Sequence, residues 1–376
     1  MPQEVETLIV GAGPAGLAMA ACLEERDLPY LVVEAGADVG TSWRNHYERL
    51  HLHTVKQHSA LPGLGFGDEV PRYPSRAEVV AYLERYAKHF GIEPRFLTPV
   101  TKLRPEGKRW IAETGEVALD CTRVVLATGF NRRPVLPQFE GQMEFHGRIV
   151  HSADYRNGAP FAGKRVLVVG AGNTGGELAL DLLEHDCEVA MCIRSPLHVV
   201  PRDFLGLPTQ VTSLKIAALP LSVRDRIART VSRLGFGSLR SYGIKPPQIG
   251  PISQIVEHKK IPLIDIGTIA KIKAGQIVVY PAIAKLSGDE VVFEDARRAS
   301  FDAIVLATGY RSGLGTLVEG GTDLLDDSGY PVPGAGETRL PGLFTIGFNN
   351  PPTGWLRQIG LDAPMVADAI AKRARA

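Results

Sequence analysis

A chain of 376 residues exceeds the length at which one hydrophobic core usually stops growing, so two domains are expected. Its 42 basic and 41 acidic residues leave a net charge of +1, which argues against a polyanion-binding surface, and no nucleic-acid partner is expected. No stretch approaches the ~20 apolar residues of a membrane-spanning helix. The chain enters a strand within ten residues, leaving no room for a secretory leader, and Cys22, Cys121, Cys187 and Cys192 form neither a CxxC pair nor a metal-ligand spacing. A cytoplasmic protein with no metal site and no dithiol centre is the expectation.

The first elements in the chain form a βαβ unit. Residues 4–10 give an apolar strand, 11–16 make a turn, 17–26 carry a helical pattern, and 30–33 give a second strand ending at Glu34. The turn reads Gly11-Ala12-Gly13-Pro14-Ala15-Gly16, a GxGxxG with an acidic residue 18 positions beyond its last glycine. Gly11 permits the tight turn, Gly13 lets backbone approach a pyrophosphate, and Gly16 lets helix pack on strand. The helix N-terminus then faces the phosphates, and Glu34 suits ribose hydroxyls while repelling a 2′-phosphate. This loop therefore suits FAD or NAD, and its N-terminal position and pairing with a second loop favour FAD.

A similar unit returns at 165–193, offset by 159 residues (170 − 11): strand 165–169, turn Gly170-Ala171-Gly172-Asn173-Thr174-Gly175, helix 177–185, strand 188–193. Here the position 18 beyond the last glycine is Ile193, followed by Arg194 and Ser195. The acidic selector is missing. An arginine fork binds a 2′-phosphate in bidentate fashion, with the serine hydroxyl as a further donor, so this loop is expected to take NADPH. Each loop is followed downstream by an apolar strand ending in Ala-Thr-Gly, Ala127-Thr128-Gly129 and Ala307-Thr308-Gly309, where the chain should cross close to a dinucleotide. Hairpin-like stretches precede both, at 108–119 and 276–293.

The repeat implies an α/β protein of two Rossmann-like dinucleotide-binding domains (three-layer ββα/βαβ type), with the NADP domain inserted into the FAD domain. The expected divisions are 1–158 for the first part of the FAD domain, 159–310 for the NADP domain and 311–376 for the return segment, where a strand at 342–348 and a helix at 362–375 rejoin the first domain. Residues 133–137 and 146–160 read as the outbound linker and 310–315 as the return. Residues 205–243 read as a solvated helical excursion or homodimer surface, or else as a substrate-access lid.

Between the loops, residues 145–155 (FHGRIVHSADY) fit FxGxxxHxxxY at every fixed position: Phe145, Gly147, His151 and Tyr155. In this motif the chain resembles the class B flavin-dependent monooxygenases. Related Baeyer-Villiger enzymes usually end it with tryptophan, so Tyr155 points to the flavin-containing monooxygenase branch. Further stretches resemble the plant indole-3-pyruvate monooxygenases, the YUCCA family: YERLHLHTVKQ (47–57), VVPR (199–202), YGIKPPQIGP (242–251), IDIGTIAKIKA (264–274) and FDAIVLATGY (301–310). The likeness spans nearly the whole chain and departs from the family at Asn349-Asn350-Pro351-Pro352-Thr353-Gly354-Trp355.

The resemblance implies that NADPH reduces FAD, that oxygen adds to the flavin as a C4a-(hydro)peroxide, and that one oxygen atom passes to a small molecule. A 2-oxo acid such as indole-3-pyruvate, oxidatively decarboxylated, is the leading substrate. A soft sulfur or nitrogen nucleophile is the alternative, and a flavin reductase or NADPH oxidase without oxygen transfer is a third. The resemblance also implies that Ala35, Ser42, Trp43 and Arg44 run along FAD, with core packing as the other reading of Trp43. His53 aligns with a flavin-facing polar position and is the candidate catalytic residue, a surface-loop histidine being the alternative. His151 and Tyr155 fix the linker against bound nicotinamide cofactor or serve the fold alone. The stretch 349–355 should lie beside the flavin.

Overall fold

The computed structural model describes residues 2–115, 117–327 and 329–375, and their packing divides the chain into two compact units. The first holds residues up to Asn45, Thr54–Arg133 and Tyr310 onward, while the second holds His46–His53 and Pro134–Gly309.

In the first unit, β1 (Gln3–Val10) pairs in parallel with β2 (Leu31–Val33) on one side and β5 (Leu119–Leu126) on the other. A central parallel strand is covered on both faces, which is why 8–10 is continuously apolar rather than alternating. Leu8, Ile9, Leu17, Met19 and Leu23 are fully buried, each contributing about 1.5–3 kcal/mol on transfer from water. Helix α1 (Pro14–Glu24) has every residue from Ala15 to Leu23 buried, since it packs on the sheet and against the C-terminal helix Trp355–Arg375. Its run of alanines and Gly16 permits that close approach. β3 (Lys102–Glu106) and β4 (Arg109–Glu113) form an antiparallel meander leading into β5, so the hairpin expected at 108–119 is the second half of a three-strand element.

After the second unit the chain returns, and Leu343–Thr345 pairs in parallel with the end of β5, completing the order β2, β1, β5, 343–345, 336–337. The C-terminal helix begins at Trp355, seven residues ahead of the expected 362, because Pro364 lies inside it rather than at its first turn. Its buried stripe, Leu356, Ile359, Ala363, Val366, Ala367 and Ile370, supplies the helical spacing that a window starting at 362 truncates.

The second unit repeats the plan. Its parallel sheet runs Ile277–Tyr280, Glu188–Cys192, Arg165–Val169, Ala303–Leu306, Arg148–His151. Two features differ from the sequence expectation. Residues 277–280 are a parallel strand of the main sheet, and the antiparallel meander is 283–300. Residues 148–151 are no free linker but the edge strand of this sheet, so the longer stretch of this unit starts at 134, ahead of the expected 159. The division at its far end falls after Gly309. The 205–243 segment is helical over 209–215 and 221–236, and the longer helix buries no residue.

After the single-turn helix α2 (Thr41–Arg44), helix α3 (Arg76–His89) of the first unit has a full capping box: Ser75 Oγ accepts from the Glu78 amide at 3.3 Å, and Glu78 accepts from the Ser75 amide at 2.7 Å. Ser75→Ala should cost about 1 kcal/mol, lowering Tm by about 2–4 °C in a thermal melt with the fold retained.

Candidate functional site

The first glycine loop is shaped by two backbone contacts. Gly11 sits at φ +113°, and a Cβ there would meet the Ala127 carbonyl at 2.6 Å; one on Gly16 would meet the Gly11 carbonyl at 1.8 Å. Strand end, helix start and the Ala-Thr-Gly turn are therefore in backbone contact with no room for a side chain. Gly13 differs: a Cβ there would meet nothing within 4 Å. The space beside it is open, and α1 begins there with no side-chain cap and with Pro14 at its first position. Uncapped amides facing an open cradle suit a pyrophosphate. Glu34 is held in place, Oε2 accepting from the Ala12 amide and Oε1 from the Gly36 amide, each at 2.8 Å. Each oxygen keeps a lone pair free for a ribose hydroxyl. The Thr128 hydroxyl is buried without a hydrogen-bond partner among the described residues, a polar atom at the loop that a bound dinucleotide could satisfy.

The second loop has nearly the same geometry. Gly170 also sits at φ +113°, a Cβ on it would lie 2.4 Å from the Ala307 carbonyl, and one on Gly175 would lie 2.0 Å from the Gly170 carbonyl. Gly172 is open within 4 Å, as Gly13 is. Helix α4 (Asn173–Glu184) starts there without a side-chain cap, and the Asn173 side-chain oxygen accepts from the Ile264 amide at 2.8 Å. Asn173 therefore anchors the loop to its own unit. Arg194 and Ser195 stand exposed just past the strand end, and Arg194 has no ion-pair partner among the described residues. Thr308 donates to the Val135 carbonyl at 2.6 Å, closing the turn that presses on Gly170, and Gly309 takes φ +82°.

One face of α4 carries three acids, Glu177, Asp181 and Glu184, at i, i+4 and i+7. Tyr155 donates to Asp181 Oδ2 at 2.5 Å, Arg49 makes a two-pronged pair with Glu184 at 2.8 and 3.0 Å, and His53 Nε2 lies 2.6 Å from Glu177 Oε1. Glu177 is 1% and His53 10% exposed, so removing His53 would leave a buried carboxylate oxygen without its hydrogen bond, a loss of about 1–3 kcal/mol. Burial and the neighbouring Glu177 push the Tyr47 hydroxyl well above the usual phenol range, so it stays protonated.

The motif at 145–155 has a packing task at each fixed position. Phe145 is buried against Leu167, Phe293 and Phe301; a Cβ on Gly147 would strike the Phe145 ring at 2.6 Å; His151 Nδ1 accepts from the Ala153 amide at 3.1 Å. Burial pulls His151 below the ordinary imidazole range, which keeps it neutral.

In the first unit, Ser42, Trp43 and Arg44 form one helical turn after Gly40, with Ser42 exposed and Trp43 half-buried. Arg44 is tied to the Val39 carbonyl and pairs with Glu84, and Ala35 is exposed beside Glu34. Gly347 packs against Ala15 so closely that a Cβ would lie 2.8 Å away, and Trp355 Nε1 donates to the Gly347 carbonyl at 2.7 Å. This brings the start of the 349–355 stretch beside the first turn of α1. Sequence reasoning missed Tyr47, Glu177 and Asp181. The available signal was the acidic spacing on α4, which in a sequence reads as a solvated face.

The family described as pyridine nucleotide-disulphide oxidoreductase matches residues 8–203, which covers both glycine loops. The chain is 38% identical to the probable indole-3-pyruvate monooxygenase YUCCA9 of Arabidopsis thaliana over 91% of this chain and 83% of that one. It is 39% identical to the indole-3-pyruvate monooxygenase YUCCA1 of Oryza sativa subsp. japonica over 91% and 86%. The chain belongs to the YUCCA family of indole-3-pyruvate monooxygenases. Among solved structures, a mutant flavin monooxygenase from Stenotrophomonas maltophilia matches with TM-score 0.76 at 21% identity over 99% of both chains. Cyclohexanone monooxygenase from Rhodococcus sp. Phi1 bound to NADP+ matches with 0.72 at 19% identity over all of this chain and 85% of that one; these likenesses show the shared fold.

This YUCCA-family chain is therefore an FAD- and NADPH-dependent monooxygenase. Its four cysteines are all free and buried, and burial pushes Cys22 and Cys192 to about 11 and Cys121 to about 12, so they stay as inert thiols and supply no dithiol chemistry. Among the described residues no helix is long and apolar enough to cross a membrane.

Two measurements test the cradles. Gly13→Val should leave the apoprotein melt near wild type while abolishing FAD retention, because its side chain enters open space; Gly16→Ala should lose both. A Gly13→Val protein that purifies with full flavin would refute the cradle. Arg194→Ala should reduce the preference for NADPH over NADH by roughly ten- to a hundredfold, the loss of a charge-assisted hydrogen bond worth about 1.5–3 kcal/mol. An unchanged ratio of efficiencies would exclude Arg194 as the selector.

Proposed function

We propose that this enzyme oxidatively decarboxylates a 2-oxo acid, with indole-3-pyruvate as the substrate. The reading rests on the sequence: relatives named as indole-3-pyruvate monooxygenases match at 36–39% identity over 91% or more of the chain. The balanced reaction takes the 2-oxo acid, O2, NADPH and one proton to the carboxylic acid one carbon shorter, CO2, water and NADP+. Bound FAD, reduced by NADPH, supplies the activation of oxygen.

The protein's own residues bind, orient and exclude water. Gly11, Gly13, Pro14, Ala15, Gly16 and Glu34 would hold FAD, with Thr128 and Gly129 closing that loop, and Ala35, Ser42, Trp43 and Arg44 running on from it along the chain. Gly170, Gly172, Thr174, Gly175, Arg194 and Ser195 would hold NADPH. His53 is the polar group proposed to serve oxygen transfer, fixed by Glu177. We also assign the enzyme to the cytoplasm, in keeping with four free thiols.

With 18O2 and indole-3-pyruvate, one labelled oxygen should enter the acid product and one CO2 should form per NADPH consumed. NADPH consumption with stoichiometric hydrogen peroxide and no acid would overturn the reading, as would preferential oxygenation of a thioether. His53→Gln, which keeps an N–H for Glu177, should raise the share of NADPH lost as hydrogen peroxide; unchanged coupling would remove His53 from the mechanism.

A further inference from the structure

Two side chains of the second unit, His53 and Glu177, form a buried hydrogen-bonded pair that the nucleotide sites do not use, and Tyr47, 3% exposed, has Glu177 as a neighbour. Two atoms in this cluster have no partner among the described residues, Glu177 Oε2 and His53 Nδ1, and both are buried.

The chemistry of each group fixes the direction of the bond. A carboxylate accepts only, so the imidazole nitrogen 2.6 Å from Glu177 Oε1 must carry a hydrogen. The Nε2 position of His53 is therefore settled by Glu177. Nδ1 is then the only ring atom at which a proton can come and go. If it gains one, the imidazolium stands against Glu177 as a neutral ion pair, which a 1% exposed carboxylate tolerates better than an uncompensated charge.

We propose that Glu177 is a positioning residue that locks His53 in its Nε2-protonated form, so that Nδ1 is the ring atom left to accept the proton consumed in each turnover. This rests on the oxygenation reading above, whose stoichiometry requires that proton. The proton that Nδ1 takes up is the one consumed with NADPH, and the ring returns to its Nε2–H form when it gives that proton up. The same logic applies to metal-bound and triad histidines, where the partner of one nitrogen decides what the other can do.

Nitrogen-15 NMR of protein labelled at histidine reads the tautomer directly, and comparison with His53→Gln identifies the signal among the ten histidines. The wild-type ring at 53 should carry its hydrogen on Nε2 as a single form. Glu177→Gln, whose amide can face the ring with either oxygen or nitrogen, should split the signal into two tautomers and raise peroxide release with NADP+ still bound. Glu177→Asp should recover most of the coupling. A wild-type ring protonated on Nδ1 alone overturns the proposal, and so does a Glu177→Gln ring identical to wild type. If Glu177→Gln does not fold, the wild-type spectrum still decides. Failure to decarboxylate the keto acid would refute the substrate reading and leave the tautomer result standing.

Discussion

The structure depends on a steric constraint that occurs twice: at each glycine loop, strand end, helix start and Ala-Thr-Gly turn touch through backbone alone. The hypothetical Cβ distances of 1.8 to 2.6 Å at Gly11, Gly16, Gly170 and Gly175 lie far inside any tolerated contact. Such close packing aims the uncapped amides of α1 and α4 at one place each. Beside it, Gly13 and Gly172 leave that place empty of protein. The same residue type thus does two opposite things within five positions: it removes a side chain to let protein meet protein, and removes one to let a ligand meet protein.

From that shared geometry the two sites diverge at the residues just past the second strand. Glu34 is already braced by two backbone amides, so its charge is fixed in direction before any ribose arrives. Arg194 is exposed and, among the described residues, paired with no acid, which leaves its guanidinium free to meet a phosphate. Glu34 is preorganised by hydrogen bonds, and Arg194 by the absence of competitors among the described residues.

Helix α4 has a second task. Its N-terminus faces a nucleotide site while its acidic face receives Arg49 and His53 from one segment and Tyr155 from another. The segment 46–53 therefore belongs to the second unit although its neighbours in sequence belong to the first. This accounts for a motif that looked like a linker: Phe145, Gly147, His151 and Tyr155 are a core residue, a gap for that core residue, a strand-end hydrogen bond and an anchor on α4.

The sequence by itself determined what is local. Glycine spacing, apolar runs and the residues 18 and 19 positions past each loop depend on geometry within one βαβ unit, where neighbours in sequence are neighbours in space. That was enough to expect two nucleotide sites of different selectivity. The tertiary structure alone decided that Glu177 and Asp181 are buried, that 46–53 crosses to the other unit, that 148–151 is an edge strand, and that 277–280 joins the main sheet. Each of these depends on a contact between residues far apart in the chain, such as His53 with Glu177 across 124 positions. A run of acids on a helix looks solvated until something covers it, and the sequence does not say what will.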